Sequence, residues 1–172
     1  TPLDEEHARA AIRELIELGA ESITVSLLHS YTNSLHEERL KDLVGELDAD
    51  MTVSLSSEIL PEFREYERTL VAVMNAYVRP SVRRYLRGFE NRLREIQFSP
   101  HVNIVRSDGG LMSVQRASDF PVLTMLSGPA GGVSGAAFIA SLAGYPQALG
   151  FDMGGTSTDV SLIQEGKPTI SR

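Results

Sequence analysis

The sequence contains no cysteine, which excludes disulfides, thiolate nucleophiles and cysteine-bound metals, and fits a reducing cytoplasm. It is short of positive charge: 16 Lys and Arg stand against 23 Asp and Glu, giving a net charge of −7 and a pI near 5.1. That balance disfavours nucleic acid and anionic membrane as partners. No apolar run is long enough to span a bilayer, and Thr1-Pro2-Leu3-Asp4 is not a signal peptide. There is no Ser-His-Asp order and no activated nucleophile. The glycine-rich stretches lack the lysine of GxxxxGK[ST], which removes the P-loop mechanism. An initiator Met is also missing; the chain opens straight into helical sequence and stops at Ser171-Arg172 soon after a hairpin pattern. It reads as an internal piece of a longer protein.

What is present is a soluble globular pattern, 42% hydrophobic and 23% charged, long enough at 172 residues for a domain or a domain and a half. Asp4 to Leu18 is an amphipathic helix with Ala8, Ala11, Ile12, Leu15 and Ile16 on one face, capped by Thr1 or Asp4 and stopped by Gly19. Ser22 to Leu28 reads as a buried strand, Leu35 to Leu47 as a helix and Met51 to Leu55 as a second strand. This order indicates a parallel sheet covered by helices. Leu70, Val73, Met74, Tyr77, Val78, Val82, Tyr85, Leu86, Phe89, Leu93 and Ile96 then keep one apolar stripe. It continues through Pro80, so the expectation is a kinked helix or two helices meeting there, ended by Phe98 to Pro100. Val102 to Val105 is a strand, Ser107-Asp108-Gly109-Gly110 a turn, and Val122 to Leu126 a short strand. The small-residue run from Ser134 to Ala143 is a helix, with Pro129 suited to its first turn and Gly144 to its stop.

The chemistry concentrates in Gly150 to Ile163, GFDMGGTSTDVSLI. Two strands, Ala148 to Asp152 and Thr158 to Ile163, are joined by a turn of Met153, Gly154, Gly155, Thr156 and Ser157. Gly-Gly permits positive φ and close approach of another group. Consecutive turn amides form a concave anion site to which the hydroxyls of Thr156, Ser157 and Thr158 add donors. Asp152 and Asp159 repel phosphate themselves; they make sense with a divalent cation between, or as holders of an ordered water. The spacing therefore suggests a Mg-nucleotide phosphate loop on a hairpin. An ordinary hairpin with capping Thr and Asp side chains is the alternative.

Three other groups invite a reading. His29, His36 and Glu37 suggest a metal, but adjacent helix residues diverge and no third ligand has the usual spacing, so a loop packed at a strand end is preferred. Arg64-Glu65-Tyr66-Glu67-Arg68 reads as a solvated helix start ahead of a contact surface. Ser107 to Gly110 reads as an Asp-Gly turn, with a polar turn at the sheet's carboxyl end as the functional alternative.

A small-residue helix feeding a D-x-G-G-T-x-x-D hairpin resembles the connecting helix and second phosphate loop of the actin, sugar kinase and heat-shock chaperone ATPase superfamily. More specifically, SSEILPEFREYERT, NAYVRP, RSDGGLMS, LSGPAGGVSGA and GFDMGGTSTDVSLI in one order resemble the hydantoinase A / 5-oxoprolinase family, which also holds an acetone carboxylase subunit. The likeness runs from about Leu27 to the end. It implies an α/β chain carrying part of an actin-like (ribonuclease H-like) ATPase fold, a mixed sheet flanked by helices with a long helical segment near residues 69–97. Residues 1–127 would belong to a first domain, and residues 128–172 would be the connecting helix and phosphate-loop hairpin opening a second. It further implies ATP and Mg²⁺ as cofactors, a small cyclic amide (hydantoin, N-methylhydantoin or 5-oxoproline) as substrate and a hydantoinase B-type partner subunit. An acetone carboxylase-type subunit and a non-catalytic nucleotide-gated module are the other readings. Asp152, Gly154, Gly155, Thr156 and Asp159 match the family's phosphate loop, and Gly128, Gly131 and Gly132 its S-G-P-A-G-G stretch at the helix start. On this reading the isolated piece is inactive.

Overall fold

The computed structural model describes residues 2–98 and 101–169. The expected cap at Thr1, the Ser99-Pro100 end of the long helix and the terminal Ser171-Arg172 lie outside that range. The chain divides into two compact units, one ending at Tyr85 and the other beginning at Leu86.

In the first unit, α1 (Glu5–Glu17) is capped by Asp4, whose carboxylate accepts from His7 N at 3.0 Å, and is followed by Gly19 at φ 81°. Strands β1 (Ser22–Val25) and β2 (Thr52–Leu55) pair in parallel, Ser22 opposite Thr52 and Val25 opposite Leu55, across the crossover helix α2 (Leu35–Leu47). Side chains alternate along a strand, so each strand has two different faces. Ile23, Val25, Val53 and Leu55 form one face and close a core with Ile12 of α1 and Leu43 and Val44 of α2. The other face carries the hydroxyls of Ser22, Thr24 and Ser54.

That hydroxyl face takes α4 (Glu65–Glu95), which follows the single-turn α3 (Ser56–Ile59). The contacts are polar. Asn75 Nδ2 donates to Ser54 Oγ at 3.2 Å, Arg79 Nη1 to Val53 O at 2.8 Å, and Ser26 Oγ meets Thr69 Oγ1 at 2.6 Å. The buried residues of this part of the helix are Arg68, Ala72, Asn75 and Ala76, whereas Tyr66, Leu70, Val73 and Tyr77 are exposed. The apolar stripe of the sequence therefore does not supply the buried face in this part of α4, where a hydroxyl-lined sheet face is matched by small and hydrogen-bonding residues. The run Arg64 to Arg68, expected to be solvated, is so only up to Glu67; Arg68 is fully buried.

Nor does α4 break at Pro80. Proline cannot donate to the carbonyl four residues back, that of Ala76. Ser22 Oγ reaches this carbonyl at 3.5 Å, a long contact from outside the helix.

The second unit holds the rest of α4, an antiparallel hairpin of β3 (Asn103–Val105) and β4 (Leu111–Ser113), α5 (Val114–Asp119), α6 (Ser127–Leu142) and an antiparallel sheet in the order β5 (Gln147–Met153), β6 (Thr158–Gln164), β7 (Lys167–Pro168). The Ser107 to Gly110 turn is an Asp-Gly turn as expected, with Gly109 at φ 81° and Gly110 N donating to Asp108 Oδ1 at 3.0 Å. The strand expected over Val122 to Leu126 is instead a 3₁₀ turn, Pro121–Thr124. Pro121 presets φ at its first position, and Thr124 Oγ1 closes it onto Pro121 O at 2.7 Å. Among the described residues the strands form three separate small sheets, not one mixed sheet, since each pairs only with its neighbours in sequence.

Candidate functional site

The β5–β6 register sets the site. Asp152 lies opposite Asp159, Gly150 opposite Ser161 and Ala148 opposite Ile163, so these six share one face. Ile163 is fully buried on that face. A Cβ on Gly150 would stand 3.7 Å from Ala136 Cβ of α6 and would collide with Ser161 Oγ. The helix would still be at ordinary contact distance; it is the Ser161 hydroxyl, as now placed, that takes the space a side chain at Gly150 would fill. On the opposite face Leu149, Phe151, Met153, Val160 and Leu162 are all exposed.

Asp152 and Asp159 end the face that α6 covers. A direct cross-strand pair puts their Cβ atoms about 5 Å apart, where like charges destabilise a sheet. Among the described residues neither carboxylate has a hydrogen-bond or ion-pair partner, and both are exposed. They border a cleft of about 220 Å³ whose other wall is Pro129, Gly132, Val133 and Ala136 of α6. A Cβ on Gly132 would lie 4.0 Å from Asp152 Oδ2, so the helix's small residues keep this space open. The amino end of α6 has no side-chain cap, and Leu126 N donates instead to Ser107 Oγ at 3.3 Å. Its first-turn amides and dipole favour an anion.

The structure thus gathers Gly132, Asp152 and Asp159 around one cleft and leaves the other sequence candidates apart from it. A Cβ on Gly131 would lie 3.8 Å from Val105 Cγ1, and one on Gly128 would meet open space. Both lie within α6, which begins at Ser127, earlier than expected. Gly154 to Ser157 form the hairpin tip, closed by Gly154 N donating to Ser157 O at 3.0 Å. The positive φ that Gly154 and Gly155 permit is not used there; in this sheet it occurs at Glu165 and Gly166, the β6–β7 turn. Thr158 pairs with Met153 and belongs to the face opposite the two aspartates. The sequence reading did not place Ser161, Pro129 or Ala136 at the site, although counting outward from a four-residue tip, Gly154 to Ser157, pairs Ser161 with Gly150. No group of three or more metal-ligating side chains occurs among the described residues, His29, His36 and Glu37 included. Two carboxylates beside the Ser161 hydroxyl suit Mg²⁺, which takes oxygen ligands and keeps several waters.

The Hydantoinase/oxoprolinase family model matches residues 68–172, and the model of the Hydantoinase/oxoprolinase N-terminal region matches residues 1–47. The acetone carboxylase beta subunit of Xanthobacter autotrophicus is 36% identical over 98% of this chain and 24% of its own length. 5-Oxoprolinase 1 of Arabidopsis thaliana is 38% identical over 93% of this chain and 12% of its own. Among solved structures, a nucleotide-free acetone carboxylase superposes with a TM-score of 0.82 at 35% identity, covering 98% of this chain and 24% of that one. The ATP-dependent caprolactamase of Pseudomonas jessenii superposes with a TM-score of 0.86 at 31% identity, covering 94% of this chain and 23% of that one. The chain spans a quarter or less of the length of these relatives. No helix among the described residues is long and apolar enough to cross a membrane. With both regions matched in chain order and the fold shared with two solved relatives, this chain belongs to the hydantoinase/oxoprolinase family.

Proposed function

We propose that the chain is part of an ATP-dependent enzyme that opens a small cyclic amide, with the β5–β6 hairpin as a phosphate loop. The observation that carries this reading is the facing pair Asp152 and Asp159, unpartnered among the described residues beside the uncapped start of α6. Two bare carboxylates directly opposite each other are tolerated best where a cation neutralises them. Asp152 and Asp159 would hold Mg²⁺ directly or through water, and its charge would offset that of the phosphates. Gly154, Gly155, Thr156 and Ser157 would meet phosphate oxygens through backbone amides and hydroxyls. Residues 128–172 would open the second domain of an actin-like ATPase.

An amide carbonyl is a poor electrophile at neutral pH. Breaking the terminal P–O bond of ATP and forming one to the carbonyl oxygen leaves a ring carbon that water attacks. The chain's own part is positioning and stabilising charge on the transferred group. A partner of the hydantoinase B type supplies the remainder of the assembly in this reading. The relatives' names include carboxylase subunits as well as an oxoprolinase and a caprolactamase, and the same phosphoryl chemistry serves a carboxylase with a different acceptor.

The test is ATP turnover by the full-length protein. Asp152→Asn removes one of two facing like charges, so the melting temperature should hold or rise, while turnover should fall about tenfold, a loss of about 1.4 kcal/mol, with a higher Mg²⁺ requirement. Gly155→Ala adds a Cβ into open space, so it should fold normally while impairing turnover if phosphate lies against this backbone. Wild-type turnover in both variants defeats the assignment.

A further inference from the structure

Among the described residues that line the cleft, none belongs to the Ser107 to Gly110 turn, yet this turn ties down the helix that forms one cleft wall. Ser107 is the joint. Its amide and its hydroxyl both donate to Leu123 O, at 2.7 and 2.8 Å, and the hydroxyl accepts from Leu126 N, just before α6, at 3.3 Å. The turn is itself braced. Asp108 accepts from Gly110 N at 3.0 Å and pairs with Arg106 at 2.8 Å, while Arg106 N donates to Gly110 O at 2.8 Å. Gly109 comes so near α6 that a Cβ there would lie 3.0 Å from Ser134 Oγ and 3.9 Å from Ala130 O.

At 3.6 residues per turn, Ala130, Gly131 and Ser134 fall on one side of α6. Pro129, Gly132, Val133 and Ala136, which wall the cleft, fall on the other. The helix is thus held between the β3–β4 turn and the cleft, so any shift of the turn alters the cleft's width. Within α6 only Ala137 is buried among the described residues, so apolar packing does little to fix the helix. Segments with few buried apolar contacts move easily. Polar ties at the start of α6 then decide where it stands.

We propose that Ser107 and Gly109 are positioning residues for the phosphate cleft, holding α6 at the distance from Asp152 and Asp159 that a Mg-bound nucleotide phosphate requires. The inference rests on the phosphate-loop reading and adds the part that sets the cleft's width. A turn serving only to close the β3–β4 hairpin has no need of the Ser107 bonds to Leu123 and Leu126, nor of Gly109 against α6.

The test uses the full-length protein and a non-hydrolysable ATP analogue with Mg²⁺, its Kd read by calorimetry well below the melting temperature. In Ser107→Ala the Kd should rise about three- to tenfold, the change that matches one lost hydrogen bond. Amide hydrogen exchange over residues 127–133 of the ligand-free protein should quicken in the same variant. Ser107→Thr keeps a hydroxyl and should restore both. Gly109→Asn tolerates the positive φ and wedges a side chain against Ser134, so it should also raise the Kd; it decides alone if Ser107→Ala does not fold. Gly166→Ala, at φ 74° and away from the cleft lining, should lower the melting temperature and leave the Kd at the wild-type value. An unchanged Kd in Ser107→Ala and Gly109→Asn overturns the inference, as does an equal rise in Gly166→Ala. Weaker binding in Asp152→Asn leaves the phosphate-loop reading standing in either case. Wild-type binding in Asp152→Asn overturns both.

Discussion

Glu37 shows how a buried charge becomes a pH dependence. Burial pushes its carboxyl up, but the hydrogen bonds from the hydroxyl and amide of Ser57, the hydroxyl of Ser56 and the amide of Leu27 outweigh that and hold it below the usual range. The unfolded carboxyl titrates near 4.3 and so takes its proton first as pH falls. Its contribution to stability is complete above that value and is lost as pH drops through the lower folded pKa. Denaturant midpoints measured from pH 7 down to about pH 3 should fall less steeply in Glu37→Gln than in the wild type, from a lower starting point. At Gly150 the prediction is steric. Gly150→Ala should cost about 1 kcal/mol, the low end of overpacking, because the Ser161 hydroxyl can turn away. Adding Ser161→Ala should recover most of that loss, and a double-mutant cycle measures the coupling. Full additivity would mean the two residues do not meet.

At the scale of elements, α4 is the instructive case. An interior proline costs a helix roughly 3 kcal/mol through ring crowding and a lost donor. Here the orphaned Ala76 carbonyl has Ser22 Oγ within 3.5 Å, which offsets part of the loss. Pro80→Ala should therefore stabilise the protein by about 1–2 kcal/mol, and Ser22→Ala should cost more in the wild type than in Pro80→Ala. Equal costs in both backgrounds would break the link. The existence of this helix was legible from its period of threes and fours; its buried face was not. The missed signal was in the strands, where Ser22, Thr24 and Ser26 alternate with Ile23 and Val25, and Thr52 and Ser54 with Val53 and Leu55. Such a sheet offers one apolar and one hydroxyl face, and Arg68, Ala72, Asn75 and Ala76 answer the second. The helix whose start carries a capping carboxylate was read almost residue for residue, as Asp4 and Gly19 around α1 show, whereas the glycine-rich start of α6 was not. The site was legible as a hairpin with two carboxylates. The conformation of its tip was not, because glycine permits positive φ without requiring it, and Gly154 and Gly155 do not use it.

For the molecule as a whole, nucleotide affinity follows from how much of a ligand one hairpin can touch. A few loop amides and two carboxylates against hydrated Mg-ATP should give millimolar binding at best, roughly 4 kcal/mol. Calorimetry on the isolated 172-residue chain tests this, and micromolar binding would mean that the site is complete within it. The outer face of the β5–β6 hairpin governs a different property. Phe151 is 65% and Val160 65% exposed, among five large apolar side chains on one face, and β5 is an edge strand of its sheet among the described residues. Surfaces of this type attract copies of themselves. The isolated chain should bind a fluorescent apolar dye while fully folded and scatter light above a threshold concentration. Phe151→Lys should raise that threshold without lowering the melting temperature, making colloidal behaviour, not thermal stability, the practical limit on handling this piece in solution.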